Sequence, residues 1–161
     1  MLLAGLFRCG HCGRKLHVHY SGSPDPDEHK KGLGHLQPTG PDQSLACYGL
    51  FIDPPLGRVG MTDVQVRAAG IKSLTAKLPM TSIGRASLRG ETDGFMKVTV
   101  DAATQKILGA AVLGIGGDEV VQAFLGVMAA GAPFTVISRG MYIHPTMAEY
   151  LPTLLGDLKP S

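Results

Sequence analysis

The residues best suited to chemistry lie near the C-terminal end of the sequence, in MYIHPTMAEY at 141–150. His144 carries the side chain whose ordinary titration lies nearest neutral pH, so it suits proton transfer. Glu149 follows in the same stretch, and a carboxylate there can orient the imidazole and stabilise its charged form. Pro145 fixes the backbone beside the histidine and permits a cis bond at His144. The same letters admit a purely structural reading. Thr146-x-x-Glu149 is spelled as a capping box, which starts a helix and needs no catalysis to explain it. From these residues alone, both readings stand.

A second group sits at the other end. Cys9 and Cys12 form a C-x2-C pair on a Gly-rich turn, and two thiolates so spaced can share one tetrahedral zinc ion. A full site needs four ligands. Cys47 is the only other cysteine, and the fourth ligand would be His11, His17, His19 or His35. Closing the long loop from Cys12 to Cys47 has an entropic cost, so zinc binding is expected to be weak or absent.

Positioning either group requires a folded frame, and composition bounds that frame. A chain of 161 residues suits one domain, or one domain with a small appendage. Apolar residues make up 44% and charged residues 17%, the usage of an ordinary soluble globular protein. A net charge of +2 gives no general argument for nucleic acid or lipid. No apolar run approaches the ~20 residues that span a bilayer. The opening MLLAGLFRCG is too soon interrupted by Arg8 to read as a signal peptide. A cytoplasmic location is therefore expected, with no membrane partner. Three cysteines, an odd number, disfavour a disulfide framework.

The character of the chain changes near residue 50. All the cysteines and five of the six histidines precede it. Residues 21–45 are rich in Gly, Pro and charge, without helical or strand period, and read as loop or disorder. From Phe51 the pattern becomes globular. FIDPPLGRVGMT reads as an extended segment broken by two prolines. Thr62 is placed to cap a short helix, DVQVRAAG, that Gly70 ends. IKSLTAKLPM suits a strand. In GFMKVTVDAATQKILGAAVLGI, Phe95, Lys97 and Thr99 alternate with Met96, Val98 and Val100, giving two strands around a polar turn from Asp101 to Lys106. A helix from Asp118 carries Val120, Phe124, Val127 and Met128 at helical spacing, and Gly131 and Pro133 end it. A further helical turn is expected over Thr135 to Gly140, and another helix after Pro145. These elements predict an α+β fold: a mainly antiparallel sheet with flanking helices, preceded by a short irregular or partial zinc-ribbon segment. Three parts follow: 1–20, a linker over 21–50, and a domain over 51–161. The GIGG at 114–117 lacks the third glycine and the distant ribose acid of a dinucleotide fingerprint, so it is expected to close a strand–helix turn.

FIDPPLGRVGMTDVQVRAAG, GFMKVTVDAATQKILGAAVLG and MYIHPTMAEYLPTLL, in this order and spacing, resemble the C-terminal dimerisation domain of the pyridine nucleotide–disulfide oxidoreductases. Dihydrolipoamide dehydrogenase, glutathione reductase and mercuric reductase-like proteins belong to that family. The resemblance covers residues 51–159. It implies an antiparallel sheet with helices, a homodimer, and a His-Pro-Thr-x-x-Glu that reaches the partner's flavin site. There the histidine is acid/base toward a redox dithiol and the glutamate holds it, roles that fall on His144 and Glu149. The resemblance implies FAD and NAD(P) for the complete enzyme. The flavin fingerprint, the C-x4-C redox pair and the nicotinamide domain are not in this sequence, so the chain alone is expected to bind neither nucleotide and to be inactive. The intact His-Pro, and a GDLKPS end without the cysteine pair of mercuric reductases, favour a thiol-handling or lipoamide-type member.

LLAGLFRCGHCGRKLHVHYSG resembles the start of the zinc β-ribbon of large serine recombinases, over about residues 2–22. Its second cysteine pair and the recombinase's catalytic serine domain are missing. Arg8, Arg14, Lys15, His17 and His19 could meet phosphate, but a solvated basic strand explains them as well, and nucleic acid is not the expected partner. The simplest expectation is a composite: part of a zinc ribbon joined to a reductase dimerisation domain. The alternatives are a zinc-ribbon DNA-binding module that dimerises through residues 51–161, or a subunit that completes a separate flavin-domain partner. Two apolar sets are candidates for the self-association surface: Val120, Phe124, Val127 and Met128, and Ile143, Met147 and Leu151. One is expected to cover the sheet and some of the remainder to stay exposed.

Overall fold

The computed structural model of the chain describes residues 47–50 and 52–161, with the backbone alone described at Cys47 and Tyr48. Cys9, Cys12, the basic residues around them and the stretch 21–45 lie outside the described residues.

Among the described residues, six strands form one sheet: β1 (Cys47–Leu50), β2 (Leu56–Gly60), β3 (Ser73–Pro79), β4 (Phe95–Asp101), β5 (Ile107–Leu113) and β6 (Lys159–Pro160). Their order across the sheet is β1-β2-β5-β4-β3-β6, and every neighbouring pair is antiparallel. Among the described residues, five α-helices complete the fold: α1 (Asp63–Ala68), α2 (Gly84–Arg89), α3 (Gly117–Ala129), α4 (Thr135–Ser138) and α5 (Leu151–Gly156). This is the α+β architecture that the patterning predicts.

The alternation along β4 decides which face is core. Met96, Val98 and Val100 are fully buried, and across the strands they meet Val112 and Ala110 of β5 and Leu78, Ala76 and Leu74 of β3. Helix α3 covers this face over β2 and β5, while α5 covers it over β3 and β4. Phe124 of α3 and Leu151 and Leu154 of α5 are completely buried there. Burial of each such side chain contributes roughly 1.5–3 kcal/mol. Residues of opposite phase, Phe95, Lys97 and Thr99, face the other side. On that side the Lys77 ammonium lies 4.2 Å from the centre of the Phe95 ring, a cation–π contact.

The β4–β5 hairpin turns on Asp101. Its Oδ1 accepts from the amides of Ala103 at 2.7 Å and Thr104 at 3.2 Å, which holds the carboxyl below its ordinary titration range. The predicted α1 also forms as its letters imply. Thr62 Oγ1 accepts from the Gln65 amide at 3.1 Å, and Gln65 Oε1 accepts from the Thr62 amide at 2.7 Å.

Several expectations need correction. β1 lies inside the stretch assigned to a linker over 21–50, so the sheet begins at Cys47 rather than after Phe51. A four-residue edge strand draws its order from pairing with β2, which local composition does not reveal. Helix α2 and the two-residue β6 carry no periodicity long enough to read. No helix starts directly after Pro145: residues 144–147 bend, Ala148–Tyr150 form a 3-10 turn, and α5 begins at Leu151. The Val120–Met128 stripe turns inward onto the sheet, so Phe124 is core and unavailable for self-association. Met147 and Leu151 are core as well, whereas Ile143 is 80% exposed. Among the described residues, no helix is long and apolar enough to cross a membrane.

Candidate functional site

The segment from α4 to α5 carries His144 and Glu149. Its frame comes from the core on either side: Ile137 of α4 is 2% exposed, Met147 is 7% exposed and Leu151 is fully buried. Between these anchors the chain runs outward, with Met141 wholly exposed. The His144–Pro145 bond is cis, and the Thr146 hydroxyl donates back to the Ile143 carbonyl at 2.6 Å, closing the bend. Thr146 is thus not a helix cap, and the 3-10 turn Ala148–Tyr150 has no side-chain cap at all. The capping-box reading of Thr146-x-x-Glu149 does not survive.

Glu149 instead meets the histidine. His144 Nδ1 and Glu149 Oε2 lie 2.7 Å apart, within the range of a charge-assisted hydrogen bond. A carboxylate can only accept, so the proton of this bond sits on Nδ1. Nε2 is then a lone-pair nitrogen in the neutral ring, able to take a proton. The two side chains differ sharply in exposure, 83% for His144 and 17% for Glu149. The carboxylate is held in the fold while the ring stands out into solvent. Such a pair can accept a proton at Nε2, stabilise the resulting imidazolium, and return it.

A second charged pair lies on the face of the sheet opposite α3 and α5. Lys97 Nζ pairs with Asp63 Oδ2 at the start of α1, and Thr99 Oγ1 donates to Asp63 Oδ1 at 3.3 Å. The Lys97 hydrogen bond, with its charge, is the main reason the Asp63 carboxyl titrates below its ordinary range. Thr99 also contacts Thr75 Oγ1 at 3.2 Å, and Thr75 reaches Ser161 Oγ at 2.6 Å. Arg58, Met61 and Gly109 help line a concavity of about 190 Å³ beside this pair. Asp63 and Lys97 satisfy each other there, so the pair reads as a brace between α1 and β4. An isolated lysine in an otherwise alternating strand was its only sequence signal.

The GIGG turn behaves as expected. Gly114 (φ 143°) and Gly116 (φ 64°) adopt conformations that glycine tolerates, and the turn leads directly into α3. Two of its amides are used within the fold: Gly114 N donates to the Pro55 carbonyl and Gly117 N to the Gly114 carbonyl. A Cβ on Gly117 would stand 2.4 Å from the Val112 carbonyl oxygen, so this glycine serves close packing of helix on sheet. Of the three cysteines, only the backbone of Cys47 is described, paired with Val59 in β1. Among the described residues, no group of three or more His, Cys, Asp or Glu side chains could hold a metal ion.

The fold has relatives among known proteins. Residues 47–155 match the family model described as the pyridine nucleotide-disulphide oxidoreductase dimerisation domain. This chain belongs to that family. The match starts at Cys47, the first residue of β1, and runs through the His144–Glu149 segment into α5. The chain is similar to the probable pyridine nucleotide-disulfide oxidoreductase RclA of Escherichia coli, 35% identical over 127 residues. It is also similar to the dihydrolipoyl dehydrogenase of Haloferax volcanii, 30% identical over 113 residues. The alignments span 79% and 70% of this chain but only 29% and 24% of those relatives. Among solved structures, the HOCl-induced flavoprotein disulfide reductase RclA from Escherichia coli superposes with a TM-score of 0.68 at 36% identity. That superposition covers 70% of this chain and 26% of the reductase. LpdA from Mycobacterium tuberculosis, at 17% identity and a TM-score of 0.65, shares the fold, over 78% of this chain and 27% of its own. The dimerisation domain is therefore the part of a longer enzyme architecture that this chain represents.

Proposed function

We propose that the chain serves as the dimerisation domain of an FAD-dependent, NAD(P)-linked disulfide oxidoreductase, with His144 and Glu149 as its acid/base pair toward a redox dithiol of the partner subunit. The observation that carries this reading is the 2.7 Å bond from His144 Nδ1 to Glu149, with the ring itself largely exposed. A thiol S–H brought against Nε2 gives its proton to the ring and becomes a thiolate. Glu149 stabilises the imidazolium so formed, and the reverse transfer returns the proton to sulfur. Flavin, when bound to the complete enzyme, supplies the electrons for disulfide reduction. The glycine-rich turn at 114–117 already spends its Gly114 and Gly117 amides internally, which suits it poorly to a dinucleotide. Both nucleotides would be held by other parts of the assembly.

Self-association follows from the same reading. Val136, Met141 and Ile143 are 54%, 100% and 80% exposed, and Ile143 directly precedes the histidine. A symmetric dimer would cover these side chains and present His144 to its twin. Sedimentation of the purified chain should show a dimer that Ile143→Asp weakens. A clean monomer at ~100 µM, well above a micromolar dissociation constant, would rule the homodimer out.

The catalytic part is tested in a chimera that carries residues 47–161 on the flavin and nicotinamide domains of Escherichia coli RclA. Disulfide reduction by this chimera should fall about 100-fold or more on His144→Ala, the usual contribution of a positioned acid/base group. Equal activity of the two chimeras would overturn the assignment.

A further inference from the structure

A dyad is useful only if its carboxylate is held at one angle, and the local backbone does not provide this. Glu149 lies in the 3-10 turn Ala148–Tyr150, which has no side-chain cap. Met147 and Leu151 anchor the turn in the core on both sides. Apolar contacts are non-directional, so they fix the depth of the turn but leave its rotation soft. Tyr150, the neighbour of Glu149, supplies a directional tie. Its hydroxyl oxygen accepts from the Gly84 amide at 2.9 Å.

Gly84 is the first residue of α2, where backbone amides lack partners within the helix. The preceding Ile83 has no side chain able to cap, and no side-chain cap bond forms there. Tyr150 fills that role from 66 positions away. The glycine is matched to it, because a Cβ at residue 84 would stand 2.9 Å from the tyrosine oxygen. That is nearer than ordinary van der Waals contact, so any larger residue must displace the phenol. The same contact therefore caps α2 and sets the orientation of the turn that carries Glu149.

We propose that Tyr150 is a positioning residue for the His144–Glu149 pair, acting through its hydrogen bond to Gly84. It does not reach the reacting atoms. The inference rests on the dyad reading above and adds that α2 and the dyad are mechanically coupled. Displacing the start of α2 would rotate Glu149 away from Nδ1.

The test reads the histidine ring itself. Two-bond proton–nitrogen correlations on the 15N-labelled 161-residue chain report which ring nitrogen carries the proton, with His144 assigned by its loss in His144→Ala. A carboxylate acceptor at Nδ1 favours the Nδ1–H form, and Glu149→Ala should abolish that preference. Tyr150→Phe removes a single oxygen and should lower the Nδ1–H to Nε2–H ratio by about threefold or more, the worth of one modest hydrogen bond. Gly84→Ala attacks the same contact from the other side and should act alike; if it does not fold, Tyr150→Phe decides alone. If Glu149→Ala shifts the ratio while folded Tyr150→Phe leaves it at the wild-type value, Tyr150 is not a positioning residue and the dyad stands. If Glu149→Ala itself changes nothing, the dyad reading fails, and this inference with it.

Discussion

Thr62-x-x-Gln65 and Thr146-x-x-Glu149 are spelled alike, and they end in different structures. At the first, both reciprocal bonds of a capping box form and α1 begins at once. At the second, neither forms: the threonine turns back to Ile143 and the glutamate turns to His144. The difference lies in what else each acid or amide can reach. Gln65 is exposed, and the Thr62 amide is the polar partner it meets. Glu149 is largely covered, and His144 stands within bonding distance of it. A four-residue motif states a preference worth about 1 kcal/mol, and here the bend that Met147 and Leu151 anchor in the core takes the threonine and the glutamate to other partners.

The comparison can be broken at its tertiary support, where the effect should be largest. Leu151→Ala removes a fully buried side chain beneath the 3-10 turn. It should cost about 2–5 kcal/mol by urea denaturation, as large-to-small core changes do. No local cap should rescue the turn; a loss below about 1 kcal/mol would mean that the turn holds itself, as α1 does.

Next in size is the local cap. Thr62→Ala should cost about 1 kcal/mol, and Thr62→Ser should restore most of it. If Thr62→Ala were neutral, α1 too would depend on tertiary contacts, chiefly Val66, which is 1% exposed.

The acid limb of stability sharpens the contrast further. Asp63, one residue past the Thr62 cap, titrates below its ordinary 3.8, first because Lys97 hydrogen-bonds it. On acidification the unfolded chain therefore takes up this proton before the folded one does. The stabilisation is present above the ordinary carboxylate value and is lost as pH falls through the lower folded value. Asp63→Asn should flatten this limb in a pH series of melting temperatures. Asp101, held low by the Ala103 and Thr104 amides, should leave a residual slope. An unchanged limb would show that the brace contributes nothing.

The smallest effect on stability should belong to the pair proposed for proton transfer. His144→Ala should change the unfolding free energy by less than about 0.5 kcal/mol, because the ring is mostly in solvent. A larger loss would make the pair a structural brace like Asp63–Lys97 and weaken its assignment to proton transfer.

Much of the frame was legible because its causes are local. The alternation of Met96, Val98 and Val100 with Lys97 and Thr99 marks β4 and its buried face. Asp101 and the polar residues after it mark the hairpin turn, and Thr62 marks the start of α1. His144 and Glu149 were legible as residue types, and the family resemblance gave them roles. Other features have causes that are distant in the chain. The edge strands β1 and β6 exist because β2 and β3 offer unpaired backbone groups beside them. Helix α2 is short and has no local cap, since its cap comes from Tyr150.

Sequence by itself thus determined the elements whose hydrogen bonds close within a few residues and whose apolar residues repeat at a regular period. It also determined which side chains near residue 145 could move a proton. Only the tertiary structure decided which apolar stripe is core, burying Phe124 completely while leaving Ile143 80% exposed. It alone decided that Glu149 orients a histidine instead of capping a helix. A largely covered carboxylate takes the strongest donor in reach, and packing decides which donor that is even where both residues lie in one short segment.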